Sequence, residues 1–303
     1  MTASDLSMLD RIDALKAVAT RQLFFVGGAP RSGTTWLQHL LDGHPSVSCR
    51  GEGLFWRHLA VPLDAMIEQR GQAIDGKNRQ LFAHTGGYPL PEPGDADTLL
   101  GAGVLAALGA QLRARPDGGA DCRAVGEKTP ENVFLFARLK RLFPAARLIA
   151  IARDPRDVIA SAWHMFARNG KAEAEVADRK LDFVRRSLDS MDNGLRTMLR
   201  LADADPDSCA VVTYEALHRD THGTLGFLLR FLGVEDDPAL VASCTARSDF
   251  ETLTGGRKRG EQEPDAFLRQ GRIAAWHDTL DAKAETLILD ALGWSFPRFG
   301  WTA

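Results

Sequence analysis

The chain of 303 residues is long enough to bury a generous core, and it fits one large domain or two small ones. Apolar residues make up 45% of it and charged residues 25%, with a formal net charge of −3, as is ordinary for a soluble globular protein. Because there is no basic tail, the composition gives no support to nucleic-acid binding or to polybasic contact with a membrane.

The N-terminal region, residues 1–20, predicts a short amphipathic helix, since leucine or isoleucine recurs there at about helical spacing. Acidic residues interrupt it, so it lacks the apolar core of a signal peptide. No apolar stretch reaches the length of a membrane span, and we expect none. The four cysteines form no C-x-x-C pair, which favours reduced thiols and a cytoplasmic location.

The middle of the chain alternates between two kinds of pattern. Short, continuous apolar runs predict strands at residues 23–27, 123–127, 146–152 and 209–214. Amphipathic patterns predict helices at residues 131–144, 154–170 and 172–203. Strands that alternate with helices are typical of an α/β fold, with a central parallel sheet covered by helices on both faces.

Two stretches predict irregular structure. Residues 84–97 are rich in glycine and proline and predict a loop. Residues 254–265 combine glycines with mixed charge and predict a mobile surface segment. No repeat and no shift in composition marks a boundary, so we expect one domain over residues 1–303.

Residues 24–38, FFVGGAPRSGTTWLQ, have the pattern of a strand, a glycine-rich turn and a helix start. In such a unit the backbone N–H groups and the helix N-terminus point at one spot and favour an anion there. Thr34 and Thr35 add hydroxyl donors, and Arg31 adds a permanent charge with a planar set of donors. The stretch therefore predicts a site for a tetrahedral oxyanion.

The loop differs from those that bind ATP or GTP. Thr34 stands where their lysine would be, and the strand that could carry a magnesium-binding aspartate is followed by Arg153, although Asp154 comes next. We therefore expect an anionic donor to be bound directly, with no metal. His218 and His222 have the spacing of a metal-binding pair, but no third ligand accompanies them.

The stretch GGAPRSGTTWLQ resembles the donor loop of sulfotransferases that use 3′-phosphoadenosine 5′-phosphosulfate (PAPS). Further motifs match this family in the same order between residues 22 and 278. IAIARDPRDVIASAWHMF resembles its 3′-phosphate motif, with Arg153 and Ser161 in the matching positions. VVTYEAL resembles the segment whose tyrosine, here Tyr214, lies near the adenine.

AFLRQGRIAAWHDTL resembles the C-terminal segment that closes over the 3′-phosphate, although Gln270 stands where the family often has lysine and Ala274-Ala275 replaces its usual Gly-Asp. The resemblance implies a P-loop, nucleotide-kinase-like fold with a five-stranded parallel sheet, and PAPS as the donor. It also implies a set of donor-binding residues: Gly28, Arg31, Ser32, Gly33, Thr34, Thr35, Trp36, Arg153, Ser161, Tyr214, Arg269, Gln270 and Gly271.

Sulfuryl transfer to a hydroxyl needs a base for the acceptor proton and positive charge at the leaving phosphate oxygen. Glu52 is the candidate base, because its position resembles the glutamate of tyrosylprotein sulfotransferases and some bacterial members; the alternative is that it caps a helix at residues 52–59. Lys128, in VGEKTPEN, is the candidate for the leaving group, together with Arg31. Glu127 is the alternative base.

The resemblance thus implies a PAPS-dependent sulfotransferase acting on a hydroxyl group. Two other classes stay open: a magnesium-dependent P-loop nucleotide kinase or ATPase, and a non-enzymatic module that binds an anionic nucleotide. The acceptor is undetermined among small molecules, sugars, lipids and peptide tyrosines, and we expect residues 54–100 and 164–185 to shape its pocket. The oligomeric state is also open, with a homodimer as one alternative.

Overall fold

A computed structural model describes residues 7–167, 173–261, 263 and 270–302. The strands of this part of the chain are β1 (Gln22–Gly28), β2 (Val47–Arg50), β3 (Ala124–Lys128), β4 (Arg147–Ala152) and β5 (Cys209–Thr213). Its α-helices are α1 (Met8–Ala19), α2 (Thr34–Asp42), α3 (Val61–Leu81), α4 (Asp95–Arg113), α5 (Asn132–Leu142), α6 (Pro155–Ala167), α7 (Glu173–Ala204), α8 (Tyr214–Arg219), α9 (Thr221–Phe231), α10 (Pro238–Arg247), α11 (Phe250–Thr254), α12 (Ala282–Leu292) and α13 (Phe296–Phe299). A π-helical turn spans Trp56–Ala60, and 3₁₀ turns span Ala275–Asp278 and Gly293–Ser295.

The five strands form one parallel sheet in the order β2-β3-β1-β4-β5. β1 is central, with Val26 opposite Lys128 of β3 and Gly28 opposite Ile151 of β4. The carboxyl ends of these three strands therefore lie side by side. Since ligands of open α/β sheets bind at that edge, the register alone brings the segments after β1, β3 and β4 to one place.

Alternate residues of the central strand pack into two different cores. Leu23 and Phe25 lie in a cluster with α4, α5 and α7, whereas Phe24 and Val26 lie in a cluster with α2, α9 and α10. A third cluster joins α6, α7 and α12. Helices thus cover both faces of the sheet, which explains why its strands are continuously apolar and confirms the predicted α/β fold.

Four of the five strands were predicted to within two residues. β2 was not predicted as an apolar run, because it has only four residues and includes Ser48, which is buried, and Arg50, which is exposed. The predicted loop at residues 84–97 is too long, since α4 begins at Asp95. Acidic residues in that first turn stabilise a helix start, and composition alone does not distinguish them from the residues of a polar loop.

The predicted helices occur with small changes at their ends. The helix expected at residues 154–170 is α6, which extends to Ala167; residues 168–170 lie outside the described part. The N-terminal helix is α1. After α11, residues 255–261 form neither helix nor strand, and residues 262, 264 and 265 of the predicted mobile segment are not described.

The state of the cysteines and the character of the helices can be compared with the reduced thiols and the absence of a membrane span that the sequence predicts. Cys49, Cys122, Cys209 and Cys244 are all free thiols and all buried. Among the described residues, no helix combines the length and the apolar character that crossing a bilayer requires.

Candidate active site

A cavity of about 320 Å³ lies at the carboxyl edge of the sheet and gathers most of the predicted donor-binding residues. Those that line it are Arg31, Gly33, Thr34, Thr35, Trp36, Arg153, Ser161, Tyr214, Gln270 and Gly271. Glu52 lines it as well, whereas Gly28, Ser32 and Lys128 do not line it, although Lys128 contacts Glu52. Arg269 lies outside the described residues. We call this cavity the donor cleft.

The loop between β1 and α2 follows a path that most residues could not adopt. Gly33, the residue before α2, has φ 99°, and a Cβ there would lie 2.6 Å from Cδ2 of Tyr214. Arg31 also has a positive φ, 74°, which costs a non-glycine residue about 1–2 kcal/mol. Strain of this kind persists where the surrounding structure holds it. Here the side chain of Arg31 is held by its hydrogen bond to Ser161 of α6.

Replacing Gly33 by alanine should destabilise the protein by about 1–3 kcal/mol, because the new Cβ combines a positive φ with a clash against Tyr214. Thermal denaturation measures the effect. Gly76→Ala in α3 is the matched control, since nothing lies within 4 Å of a Cβ at that position, and it should melt at or above the wild-type temperature. Equal melting of Gly33→Ala and the wild type would contradict the loop geometry.

Arg31, Ser161 and Arg153 connect the two predicted anion-binding motifs. Nε of Arg31 donates to Oγ of Ser161 at 3.1 Å, and Nη1 of Arg153 donates to the carbonyl oxygen of Arg31 at 3.3 Å. Arg153 is 11% exposed, and its guanidinium carbon lies 4.2 Å from the ring centroid of Tyr214. The motifs are more than 120 residues apart in sequence, yet they share one cleft.

Asp157 ties this cluster to the C-terminal segment, a role that the sequence analysis missed. Its carboxylate lies 3.3 Å from Nη2 of Arg153 and accepts hydrogen bonds from the backbone N–H groups of Ala274 and Trp276, at 2.9 and 3.0 Å. Nη2 of Arg153 also donates to the carbonyl oxygen of Arg272 at 3.0 Å. The sequence contains one signal for the contact with Arg153, because Asp157 follows it by four residues, which is about one helical turn.

Two buried polar atoms of the two motifs have no hydrogen-bond partner among the described residues: Oγ of Ser32 and Nε of Arg153. Buried donors are nearly always satisfied in folded proteins, and exceptions call for an explanation. Ser32 belongs to the β1–α2 loop and Arg153 to the segment after β4, and both segments are expected to hold anions. A donor with anionic groups at two ends fits these residues.

Aromatic rings form the far wall of the donor cleft. Trp36 and Tyr214 meet edge to face at 5.7 Å, and Nε1 of Trp36 donates to the carbonyl oxygen of Ser248 at 3.1 Å. The guanidinium of Arg259 lies 4.7 Å from the Trp36 ring centroid and 5.8 Å from that of Phe250. Arg259 was missed because its glycine-rich, charged neighbourhood predicts an exposed segment.

Among the described residues, no further ligands accompany the two histidines with metal-pair spacing. Nε2 of His218 donates to the carbonyl oxygen of Gly271 at 3.2 Å. Burial, followed by the charge of Arg259, lowers the pKa of His218, so this ring is neutral at pH 7. The described residues contain no group of three or more histidines, cysteines, aspartates or glutamates arranged to hold a metal.

Glu52 and Lys128 form an ion pair beside the donor cleft. Nζ of Lys128 donates to Oε1 of Glu52 at 2.5 Å; the lysine side chain is 5% exposed and that of the glutamate 44%. Lys128 ends β3, so the sheet fixes it, whereas Glu52 faces the cavity. Residues 52–54 are not helical and the π-helical turn begins at Trp56, so Glu52 does not cap a helix at residues 52–59.

Glu127 is buried and its carboxylate accepts three hydrogen bonds. Its carboxylate accepts hydrogen bonds from N–H of Gly53 at 3.0 Å, from Oγ1 of Thr129 at 2.9 Å and from Nδ2 of Asn132 at 2.8 Å. Burial raises its pKa. Because its carboxylate already accepts three hydrogen bonds and one of them holds the residue that follows Glu52, the contacts of Glu127 favour a positioning role over that of a base.

Asp154 is the residue on which the hypothesis of a magnesium-dependent P-loop kinase or ATPase depended. Nε and Nη2 of Arg156 donate to its two carboxylate oxygens, at 3.1 and 2.8 Å, and its side chain does not line the cleft. The charge of Asp154 is therefore taken up by a buried ion pair. This contact weighs against its use as the metal-binding acid of a P-loop kinase.

Comparison with solved structures shows the same fold. Mouse sulfotransferase SULT7A1, complexed with PAP, superposes with a TM-score of 0.53 and 15% identity, over 96% of this chain and 91% of that one. The match covers the sheet and the surrounding helices and confirms the predicted fold class.

Among curated proteins, protein-tyrosine sulfotransferase 1 of Danio rerio is 28% identical over 221 residues, 72% of this chain and 55% of that protein. Protein-tyrosine sulfotransferase 2 of Gallus gallus is 28% identical over 215 residues, 70% of this chain and 51% of that protein. The chain thus spans about half the length of these relatives.

These relatives contradict the cytoplasmic location expected from the cysteines, because protein-tyrosine sulfotransferases act in the Golgi lumen as membrane proteins. The inference was wrong because free thiols buried in a core report local packing and need not report the redox state of a compartment.

The model of one protein family matches residues 24–238, a span that runs from the central strand through the donor loop and the Arg153 motif to the start of α10. The matched span contains Arg31, Glu52, Lys128 and Ser161, which the structure gathers around one cleft. The chain therefore belongs to the sulfotransferase family.

Proposed function

We propose that the protein transfers the sulfuryl group of PAPS to a hydroxyl group of an acceptor. The observation that carries this proposal is the convergence of the β1–α2 loop and the Arg153–Ser161 motif on a single cleft, with a carboxylate and a lysine beside it. Membership of the sulfotransferase family supports the same reaction and implies a hydroxyl-bearing acceptor.

For the donor, the two motifs have separate tasks. Arg31, Thr34, Thr35 and the N-terminus of α2 hold the 5′-phosphosulfate, where backbone N–H groups and hydroxyls converge. Arg153 and Ser161 hold the 3′-phosphate. The unpartnered Nε of Arg153 supports this assignment, since a phosphate oxygen would satisfy it.

For the chemistry, Glu52 accepts the proton of the acceptor hydroxyl, and the acceptor oxygen forms a bond to sulfur as the bond between sulfur and the phosphate oxygen breaks. Lys128 donates to that leaving oxygen and neutralises its developing charge. The ion pair between the two residues couples these roles. A proton moving onto Glu52 weakens its hold on Lys128, which frees the ammonium group for the leaving oxygen.

Arg153→Met should weaken binding of 3′,5′-ADP by about 30-fold or more, the loss expected when a charged partner of a buried anion is removed. Binding of 5′-AMP, which lacks the 3′-phosphate, should change little. Isothermal titration calorimetry with both nucleotides measures the difference.

Ser161→Ala is the milder companion variant, because it removes one hydroxyl and leaves the contacts of Arg153 with Arg31 and Tyr214 in place. It should weaken 3′,5′-ADP binding by roughly 2- to 10-fold, the usual worth of one hydrogen bond. If either variant lowers the affinity for both nucleotides equally, the 3′-phosphate is not bound by this motif.

A further inference from the structure

A second cavity, of about 330 Å³, lies between α5, α6 and α7 on the other side of the β1–α2 loop from the aromatic wall. Buried apolar side chains from all three helices form its floor: Val133, Val158, Ile159, Met191, Leu195 and Met198. We call this cavity the apolar chamber. It falls between two of the core clusters rather than inside either, so the packing of the fold leaves the space open.

The apolar chamber adjoins the donor cleft. Pro30, Pro130, Glu131 and Arg153 line both cavities. Pro30 belongs to the β1–α2 loop, and Pro130 follows Lys128, the partner of Glu52, by two residues, so the shared wall and Glu52 lie at the same edge of the sheet. A molecule seated in the chamber can therefore extend past the two prolines toward the proposed base.

The charged and polar side chains of the chamber lie around its opening, except for Arg153, which lies in the wall shared with the donor cleft. Nε of Arg57 lies 3.1 Å from Oε1 of Glu131, and Arg186 and Ser190 are exposed at the same opening. The floor offers no charged partner, so an ionised group placed there would lose its hydration without compensation. The chamber is therefore suited to hydrocarbon, with polar atoms left at the rim.

We infer that the apolar chamber binds the hydrocarbon body of the acceptor, which is an uncharged alcohol whose hydroxyl reaches Glu52 past Pro30 and Pro130. This inference rests on the proposed sulfuryl transfer. Its size limit follows from volume: a cavity of about 150 Å³ holds benzene, so this one holds an apolar body of about a dozen heavy atoms. The alcohol oxygen forms the bond to sulfur, the electron pair of the broken bond leaves with 3′,5′-ADP, and Glu52 takes the proton.

Transfer from labelled PAPS to straight-chain alcohols, from 1-butanol to 1-hexadecanol, tests the inference. kcat/KM should rise about fourfold per methylene group while the chain fills the chamber, the increment expected for burying one CH₂, and then level off. A profile that is flat from the shortest alcohol, or a higher kcat/KM for an acidic peptide containing tyrosine than for any alcohol, overturns it.

Gly194→Leu tests the location. Gly194 lines the chamber from α7, and a Cβ there lies at an ordinary 3.9 Å from Cζ of Phe134, so the larger side chain extends into the space. The levelling-off should move to alcohols shorter by several methylene groups. Gly76→Leu in α3 is the matched control and should keep the wild-type profile, because nothing lies within 4 Å of its Cβ. An unchanged profile in Gly194→Leu overturns the assignment.

A binding measurement separates failure of this inference from failure of the proposed function. Calorimetry with 1-methoxydecane, which has the hydrocarbon but no hydroxyl to sulfate, should show binding to the wild type and at least a tenfold weaker binding to Gly194→Leu. That result supports the chamber even if no sulfuryl transfer from PAPS occurs. Absence of binding to the wild type, or equal binding to both proteins, contradicts it even if transfer is observed.

Discussion

Replacing Glu52 by glutamine should lower kcat for sulfuryl transfer by about 10²- to 10⁴-fold, the usual contribution of a general base. Glutamine keeps an oxygen that can accept the hydrogen bond from Nζ of Lys128, so the local structure should survive. Affinity for 3′,5′-ADP should stay within a factor of about two, since Glu52 is not among the residues proposed to hold the nucleotide. Steady-state kinetics and calorimetry on the same preparation measure both quantities.

Glu68→Gln is the control, because Glu68 is an exposed carboxylate on α3 that does not line the donor cleft. It should retain the wild-type rate. A Glu52→Gln variant that turns over at nearly the wild-type rate would show that another group removes the proton, and Glu127 would then be the next carboxylate to test, despite its burial and its three hydrogen bonds.

Lys128→Ala should lower kcat by about 10²- to 10³-fold, by analogy with loss of a single donor to a developing oxyanion. The lysine side chain is 5% exposed, and no other group supplies its positive charge once it is removed, whereas its partner Glu52 is 44% exposed and remains hydrated. Lys140→Ala is the control, because Lys140 contacts Ser208 and Asp205 near the start of β5, at the opposite edge of the sheet.

The double variant Glu52→Gln/Lys128→Ala distinguishes cooperation from independent effects. Because the two side chains contact each other at 2.5 Å, their losses should not multiply, and the double variant should be slower than the worse single variant by much less than the product predicts. Fully multiplicative losses would mean that the two residues act separately. Wild-type turnover in Lys128→Ala would remove the lysine from the mechanism.

The part of the site nearest the central strand could be predicted because its chemistry is local in sequence. Gly33, Thr34 and Thr35 follow a buried apolar run and start a helix, and that order already defines an anion-binding loop. Arg153 could be predicted for the same reason, because it directly follows β4. In a parallel sheet the position of a residue after its strand fixes the edge at which it lies.

Residues that reach the cleft from irregular segments could not be predicted in this way. Arg259 contacts Trp36 from a stretch without helix or strand, so no periodicity gives its direction. Asp157 is predictable as a helical neighbour of Arg153, but its hydrogen bonds to Ala274 and Trp276 depend on a contact across more than 100 residues. The apolar chamber likewise exists only because three helices pack with a gap between them.

The short strand β2 and the long helix α3 show the limits of hydrophobic periodicity. β2 is held by its pairing with β3 and has no continuous apolar run of its own. α3 has no buried residue among its 21, so it presents no apolar stripe for a pattern to detect. The formation of β2 therefore depends on its neighbour, whereas α3 is a helix on the surface of the protein.

Calorimetric titration of the wild-type protein with 3′,5′-ADP, and in parallel with ATP and magnesium, tests the central claim most directly. A single nucleotide spanning the Arg31 loop and the Arg153–Ser161 pair requires both phosphates, so 3′,5′-ADP should bind at least tenfold more tightly than ATP with magnesium, with one site per chain. Tighter binding of ATP with magnesium, or no binding of 3′,5′-ADP, would contradict the account.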